Sequence, residues 1–257
     1  MGVIGLILAT FIAAGTDVQN YINELFLSSG VVFLFIIGGN ALNDYLDREI
    51  DRTAHPERPI PSGRMLPGTV ARISIASFMG SLAIATFLPL KAFSIVLIAL
   101  IIMLAYEGIT KNMGLMGNLS IAFLTALLFL MGGAVVQQLD AVIIISIMAF
   151  LATLGREIVK DIQDMDADVG RRTLPQRIGS KNAGIIASIS FLLAVTLSFE
   201  PYLTGRFGLV YLIAVLVADG IFIYCSGIHF QNPKRGQRWA KIGMIVALIA
   251  FLMGGTL

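Results

Sequence analysis

The chain has 257 residues, of which 57% are hydrophobic and only 13% charged, and its mean hydropathy of +0.87 excludes an ordinary soluble domain. A single cysteine and two histidines exclude an internal disulfide, a zinc cage and a Cys–His nucleophile pair. The net charge of +2 is close to neutral, but the charges are unevenly distributed.

Taken in chain order, apolar runs of near-spanning length predict helices at roughly 1–15, 24–50, 67–88, 91–106, 118–135, 141–165, 182–199, 205–227 and 238–255. The expected fold is therefore all-α: a multi-pass membrane bundle of about nine transmembrane helices in one domain, 1–257. The first run, Val3 to Ala14, is short for a hydrocarbon core of about 30 Å. No basic cluster precedes it as in a signal peptide, and part of the natural N-terminus is expected to be missing.

Counting Lys and Arg by loop orients the bundle. Sixteen of the eighteen basic residues fall at one end, and only Lys91 and Arg206 at the other. The positive-inside rule places segments 44–66, 106–117, 156–181 and 228–241 on the cytoplasmic face of the cell membrane. These cations are interleaved with carboxylates at helix ends, so anionic lipid headgroups or substrate phosphates fit them better than nucleic acid. Cys225, in an apolar helix, reads as a small packed hydrophobe.

Eleven of the sixteen carboxylates lie at that same end. Asn40, Asp44, Asp47 and Asp51 are spaced 4, 3 and 4, which puts them within about 60° on one helical face. Glu157, Asp161, Asp164 and Asp168 repeat the spacing 117 positions later, and the two copies read as a diverged internal repeat. Asp166 falls on the opposite face. Stacked carboxylates repel one another and need a cationic partner. A ladder of i,i+3/i+4 salt bridges is one solution. The other is a pair of all-oxygen sites for a hard ion, which suits Mg²⁺ because that ion binds through a few carboxylates plus substrate phosphate. Calcium loops, P-loops and nucleophile elbows are absent from the sequence. Asp219, the one acid within an otherwise apolar span, either lines a cavity or bonds a neighbouring helix.

The run Asn43-Asp44-Tyr45-Leu46-Asp47-Arg48-Glu49-Ile50-Asp51 resembles the NDxxDxxxD signature of the UbiA superfamily of membrane prenyltransferases. Asp161-x2-Asp164-x3-Asp168 sits where that family has its second aspartate motif, and Tyr106, Lys111, Gly117 and Asn118 resemble its Tyr/Lys loop. Within the superfamily, stretches 55–64 and 155–162 look like those of the archaeal digeranylgeranylglyceryl phosphate synthases. The basic, Asn-containing arm usual at the head of the first helix in this family is not matched here.

The resemblance implies a Mg²⁺-dependent transfer of a geranylgeranyl group from its diphosphate to the hydroxyl of geranylgeranylglyceryl phosphate. Asp44, Asp47, Asp51, Asp161, Asp164 and Asp168 would hold the metal, with Tyr106 as a further catalytic residue. Asn40, Asn43, Arg58, Lys111, Asn118, Arg156, Lys160, Arg171 and Arg172 would bind substrate, with Glu157 beside them. Arg64, Arg156, Arg177, Lys234 and Arg238 are candidates for the acceptor phosphate. The partners implied are an isoprenyl diphosphate, a lipid-like acceptor and membrane lipids, in an assembly of unspecified size. An aromatic or porphyrin acceptor is the alternative within the family. A divalent-cation transporter is the alternative outside it, and that function would place acids near the midplane of several helices.

Overall fold

The computed structural model describes residues 2–165 and 172–256. Among them there are twelve α-helices and no strand: α1 Gly2–Ala14, α2 Ile22–Leu46, α3 Arg48–Ala54, α4 Pro67–Ala85, α5 Leu90–Gly108, α6 Leu115–Val135, α7 Ile143–Gln163, α8 Leu174–Ile178, α9 Ser180–Leu197, α10 Glu200–Leu203, α11 Leu209–Ile228 and α12 Pro233–Thr256. Nine are long, and they correspond one to one with the predicted spans.

Seven stretches meet a strict length-and-hydropathy standard for crossing a membrane, and the difference from nine has two physical sources. First, α1 and α2 run on through a short 3-10 segment, Gly15–Tyr21, as one apolar stretch, Gly2–Leu46. They nevertheless fold back as a hairpin, because Gly2 sits against Ile36 and Val32. Second, α7 carries Arg156, Glu157, Lys160 and Asp161 in its last turns, so its apolar part is diluted. The protein is a multi-pass membrane protein. Large hydrophobic side chains such as Leu97, Ile98, Ile101 and Leu104 on α5 point outward, as lipid contact requires.

Small residues set the helix spacing, as they do where lipid removes the hydrophobic drive between helices. Gly132 of α6 lies under Ala9 of α1, where an added Cβ would stand 2.5 Å from the Ala9 Cβ and 2.8 Å from the Thr10 nitrogen. Buried hydroxyls tie α4 to α2: the Ser74 Oγ donates to the Gly38 carbonyl at 2.9 Å and the Ser81 Oγ to that of Val31 at 3.1 Å. The Gly38 backbone meets the ring of Phe78 on α4, and Gly155 of α7 meets the ring of Phe191 on α9. Gly38 and Gly155 are 117 positions apart and each stands six residues before the first aspartate of its cluster. The internal repeat therefore extends from the acidic spacing into the packing of α2 on α4 and of α7 on α9.

Two predicted boundaries are corrected. The helix expected over 24–50 ends at Leu46, and α3 starts afresh after Asp47, whose φ of −83° and ψ of 0° turn the axis. The helix expected over 141–165 ends at Gln163, and Asp164 caps it. Cys225 is packed as expected, buried with its Sγ directed at the Gly236 carbonyl of α12 at 3.6 Å.

Candidate active site

The C-terminal ends of α2, α5 and α7 and the N-terminal end of α6 meet at one end of the bundle. The first acidic cluster is organised around two cations. Arg58, in the loop after α3, reaches back to bond Asp51 Oδ2 at 2.7 Å and Asp44 Oδ1 at 3.4 Å. Lys111 donates to Asp47 Oδ2 at 2.7 Å and to Glu107 Oε2 at 3.1 Å. Asn43 completes this group by donating to Glu107 at 3.1 Å and to Asp47 at 3.3 Å. The Asp51 side chain is 5% exposed, and those of Lys111 and Glu107 are 8% and 3%, so these are pairs in a restricted, poorly screened space. Asp44, at 29%, is the more open carboxylate. The turn at Asp47 splits the stripe: Asp44 and Asp51 share Arg58, whereas Asp47 leans toward α5.

Glu107 was not among the expected site residues, yet it links two that were. Its signal in the sequence was an acid at the end of the apolar run before Lys111, four positions on.

The second cluster is reached through the same connection. Asn118, at the start of α6, donates through Nδ2 to Asp161 Oδ2 at 2.8 Å. Lys111 and Asn118, seven positions apart, thus hold one acidic cluster each. The stretch between them is compact because Gly114 adopts a φ of +62°, open to glycine at no steric cost, and packs against Arg177 and the Arg172 carbonyl. Asp164 accepts a bond from Gln163 at 3.3 Å. Glu157 pairs with Arg156.

The remaining expected residues divide by what they touch. Asn40, Lys160 and Arg172 are exposed. The Tyr106 ring centroid lies 6.0 Å from the Lys111 ammonium. Arg64 is engaged by the Glu57 carbonyl and by the Ser62 hydroxyl at 3.0 Å. Arg177 donates to the carbonyls of Arg172 and Asn112 at 3.1 and 3.4 Å, so it ties one loop to another. Asp166, Asp168 and Arg171 lie outside the described residues. Asp219, for which the two roles were alternatives, accepts a 2.8 Å bond from Ser198, the residue that follows α9, and lines a cavity.

Beneath this polar end lie two apolar cavities. One, of about 280 Å³, is bounded by α1, α6, α7, α9, α11 and α12; the other, of about 220 Å³, by α1, α2, α5 and α6. Gly2, Ile121, Thr125 and Leu128 line both, so α6 is the wall between them.

The donor set suits Mg²⁺. Every candidate ligand is an oxygen, and the buried Asn118 Oδ1, beside Asp161, has no hydrogen-bond partner among the described residues, leaving an acceptor available to a cation or its water. Among the described residues no three acids converge as a complete cage. Mg²⁺ does not need one, because it takes one or two carboxylates plus phosphate oxygens.

A helical membrane bundle with two such carboxylate clusters above apolar cavities defines the class. The chain belongs to the UbiA prenyltransferase family, which it matches over residues 3–252, and it is a prenyltransferase. Among curated relatives it is similar to the digeranylgeranylglyceryl phosphate synthases of Natronomonas pharaonis, 40% identical over 84% of this chain and 79% of that one, and of Methanothermobacter thermautotrophicus, 36% identical over 100% and 92%. A solved structure of digeranylgeranylglyceryl phosphate synthase superposes with a TM-score of 0.86 at 32% identity, covering 99% of this chain and 92% of that one. The fold is also shared, at 18% identity and a TM-score of 0.67 over 98% and 94%, with a UbiA homolog from Archaeoglobus fulgidus bound to GPP and Mg²⁺.

Proposed function

We propose that the protein transfers a geranylgeranyl group from geranylgeranyl diphosphate to the free hydroxyl of geranylgeranylglyceryl phosphate, at the cytoplasmic face of the cell membrane. The observation that carries the reading is the pairing of two acidic clusters, one held by Lys111 of the α5–α6 connection and the other by Asn118 at the start of α6, with two apolar cavities beneath. The relatives' name supplies the acceptor.

The bond that breaks joins the allylic C1 to the diphosphate oxygen, and its electron pair leaves with diphosphate. The acceptor hydroxyl oxygen attacks C1, the ether bond forms, and its proton passes to the departed diphosphate or to a carboxylate. Asp44, Asp47, Asp51, Asp161, Asp164 and Asp168 would hold Mg²⁺, which when bound supplies Lewis-acid stabilisation of charge on the leaving group. Lys111 and Arg58 stand between carboxylates and are each within reach of a phosphate brought to them, where a fixed cation stabilises the developing charge. Arg172 and Lys160, exposed at the same end, together with Arg171, would add to that field. Tyr106, whose ring lies beside Lys111, would face the cation. An attacking alcohol that meets a carbocation needs little prior activation, so the chain's part is to orient both substrates and keep water from the cation.

Membranes containing the protein, given radiolabelled geranylgeranyl diphosphate with the glycerol-phosphate ether or with hydroxybenzoate or naphthoate, test the reading. A labelled diether is expected from the first acceptor only. It should vanish with EDTA and return with Mg²⁺ or Mn²⁺. Faster labelling of an aromatic acceptor would reject the assignment.

A further inference from the structure

The two cavities differ in what guards their polar ends. The one between α2, α5 and α6 is lined entirely by apolar side chains, Thr125 and Gly2, and its α2 and α5 walls lead up to Asn43, Asp47 and Glu107. The one bounded by α7 and α12 has Arg156 and Lys241 in its lining. Lys241 is exposed and forms no ion pair among the described residues. Arg156 is neutralised by its neighbour Glu157. One turn below Arg156 on α7, Thr153 also lines the cavity, and its buried Oγ1 lacks a partner among the described residues. A helical threonine commonly donates to the carbonyl four residues back. Thr153 does not, and it is 2% exposed.

This is a graded surface: cations at the rim, one unspent hydroxyl just inside, then hydrocarbon interrupted by Thr125 and by the Asp219 carboxylate, which accepts a bond from Ser198. A diphosphate carried with Mg²⁺ needs carboxylates around it, whereas a phosphate monoester without a metal needs cations and few carboxylates. We propose that the cavity between α7 and α12 seats the acceptor, with Lys241 and Arg156 binding its phosphate, Thr153 bonding a glycerol oxygen, and the isoprenoid chain lying along α6 and α11. The donor chain then occupies the cavity on the other face of α6. The assignment rests on the proposed reaction and adds to it two residues, Lys241 and Thr153, a place for Arg156, and a division of the two lipid chains.

Lys241→Gln gives the cleanest test, because Lys241 is exposed and its loss strands no carboxylate, whereas Arg156→Gln leaves Glu157 uncompensated. With both substrates varied in detergent at fixed ionic strength, Lys241→Gln is expected to raise the KM for the phosphorylated acceptor at least about tenfold, the loss of one charge-assisted contact. The KM for geranylgeranyl diphosphate stays unchanged. The same variant should narrow the preference for the phosphorylated acceptor over its dephosphorylated analogue, and Lys241→Arg should restore it. Thr153→Val should raise the acceptor KM several-fold for both analogues. A rise in donor KM instead would assign the cavity to the donor and overturn the proposal, as would an unchanged acceptor KM in a protein that makes the diether. An unaltered protein that makes no diether but prenylates an aromatic acceptor would refute the reaction itself and this seat with it.

Discussion

Replacing Lys111 by Met removes the ammonium that Asp47 and Glu107 share at 2.7 and 3.1 Å. Two carboxylates are then left facing each other in a space where the Glu107 side chain is 3% exposed. Removing one partner of a buried pair costs about 3–5 kcal/mol. Asn43 still donates to both oxygens of Glu107, at 3.1 and 3.3 Å, and to Asp47, which places the loss near the lower end, about 3 kcal/mol. In a chain of this length that corresponds to a fall in Tm of roughly 6–12 °C, measurable in detergent through the fluorescence of the single Trp239. Adding Glu107→Gln returns the group to its original net charge of one negative unit and keeps a side chain that Asn43 can bond. The double variant should recover at least half of the lost stability while remaining inactive, because Lys111 is also needed at the diphosphate. A double variant whose loss equals the sum of the two single losses would show that Lys111 and Glu107 are energetically independent, and the account of how this cluster is held would fail.

Asp161→Ala should reduce turnover by at least about a hundredfold, as loss of charge stabilisation at the leaving group does elsewhere. Asn118→Leu, which removes the bond to Asp161, should raise the Mg²⁺ concentration needed for half-maximal rate; an unchanged metal dependence would remove Asn118 from the site. Gly132→Ala forces a Cβ into the backbone of α1 and should cost about 1–3 kcal/mol of stability, seen as a lower Tm with the KM values intact. His229, at the end of α11, donates from Nε2 to Ser188, whose own proton goes to the Ser226 carbonyl, and burial lowers its pKa. The unfolded chain takes up a proton near pH 6.5 and the folded one only at lower pH. Stability is therefore full above about pH 6.5 and declines as the pH falls through the interval down to the folded value. A Tm that does not fall between pH 7 and pH 5, or falls equally in His229→Gln, would contradict this.

Hydropathy alone made the nine long helices readable, because a lipid-exposed helix must be apolar nearly all round and the breaks between spans are polar. The repeated acidic spacing was readable because helical period converts 4, 3, 4 into one face. The turn at Asp47 was not, since neither Gly nor Pro marks it and a single residue with ψ near 0° leaves no local trace. Nor could the sequence show that Lys111 sits on Asp47 or Asn118 on Asp161. Those bonds join residues 64 and 43 positions apart and depend on how α5 and α6 are set against α2 and α7. Glu107 was visible as an acid near the clusters, but its tertiary bond to Asn43 and the Lys111 ammonium it shares with Asp47 are what connect it with them. Arg64 and Arg177 looked like phosphate ligands by charge; what the sequence did not show is that they also tie loops, Arg64 to the Glu57 carbonyl and the Ser62 hydroxyl and Arg177 to the carbonyls of Arg172 and Asn112.

The wall shared by the two cavities has a thermodynamic corollary. Ile121, Thr125 and Leu128 present α6 to both sides, so a chain that packs against one side alters the set of positions open to those side chains on the other. Whatever factor occupancy of the first cavity applies to affinity in the second, the second must return to the first, because heterotropic linkage is reciprocal. Substitutions at these three positions should therefore not sort into effects on one lipid or the other. They should change the product of the two affinities and the order in which the lipids bind, and a product that carries both chains should compete with each substrate.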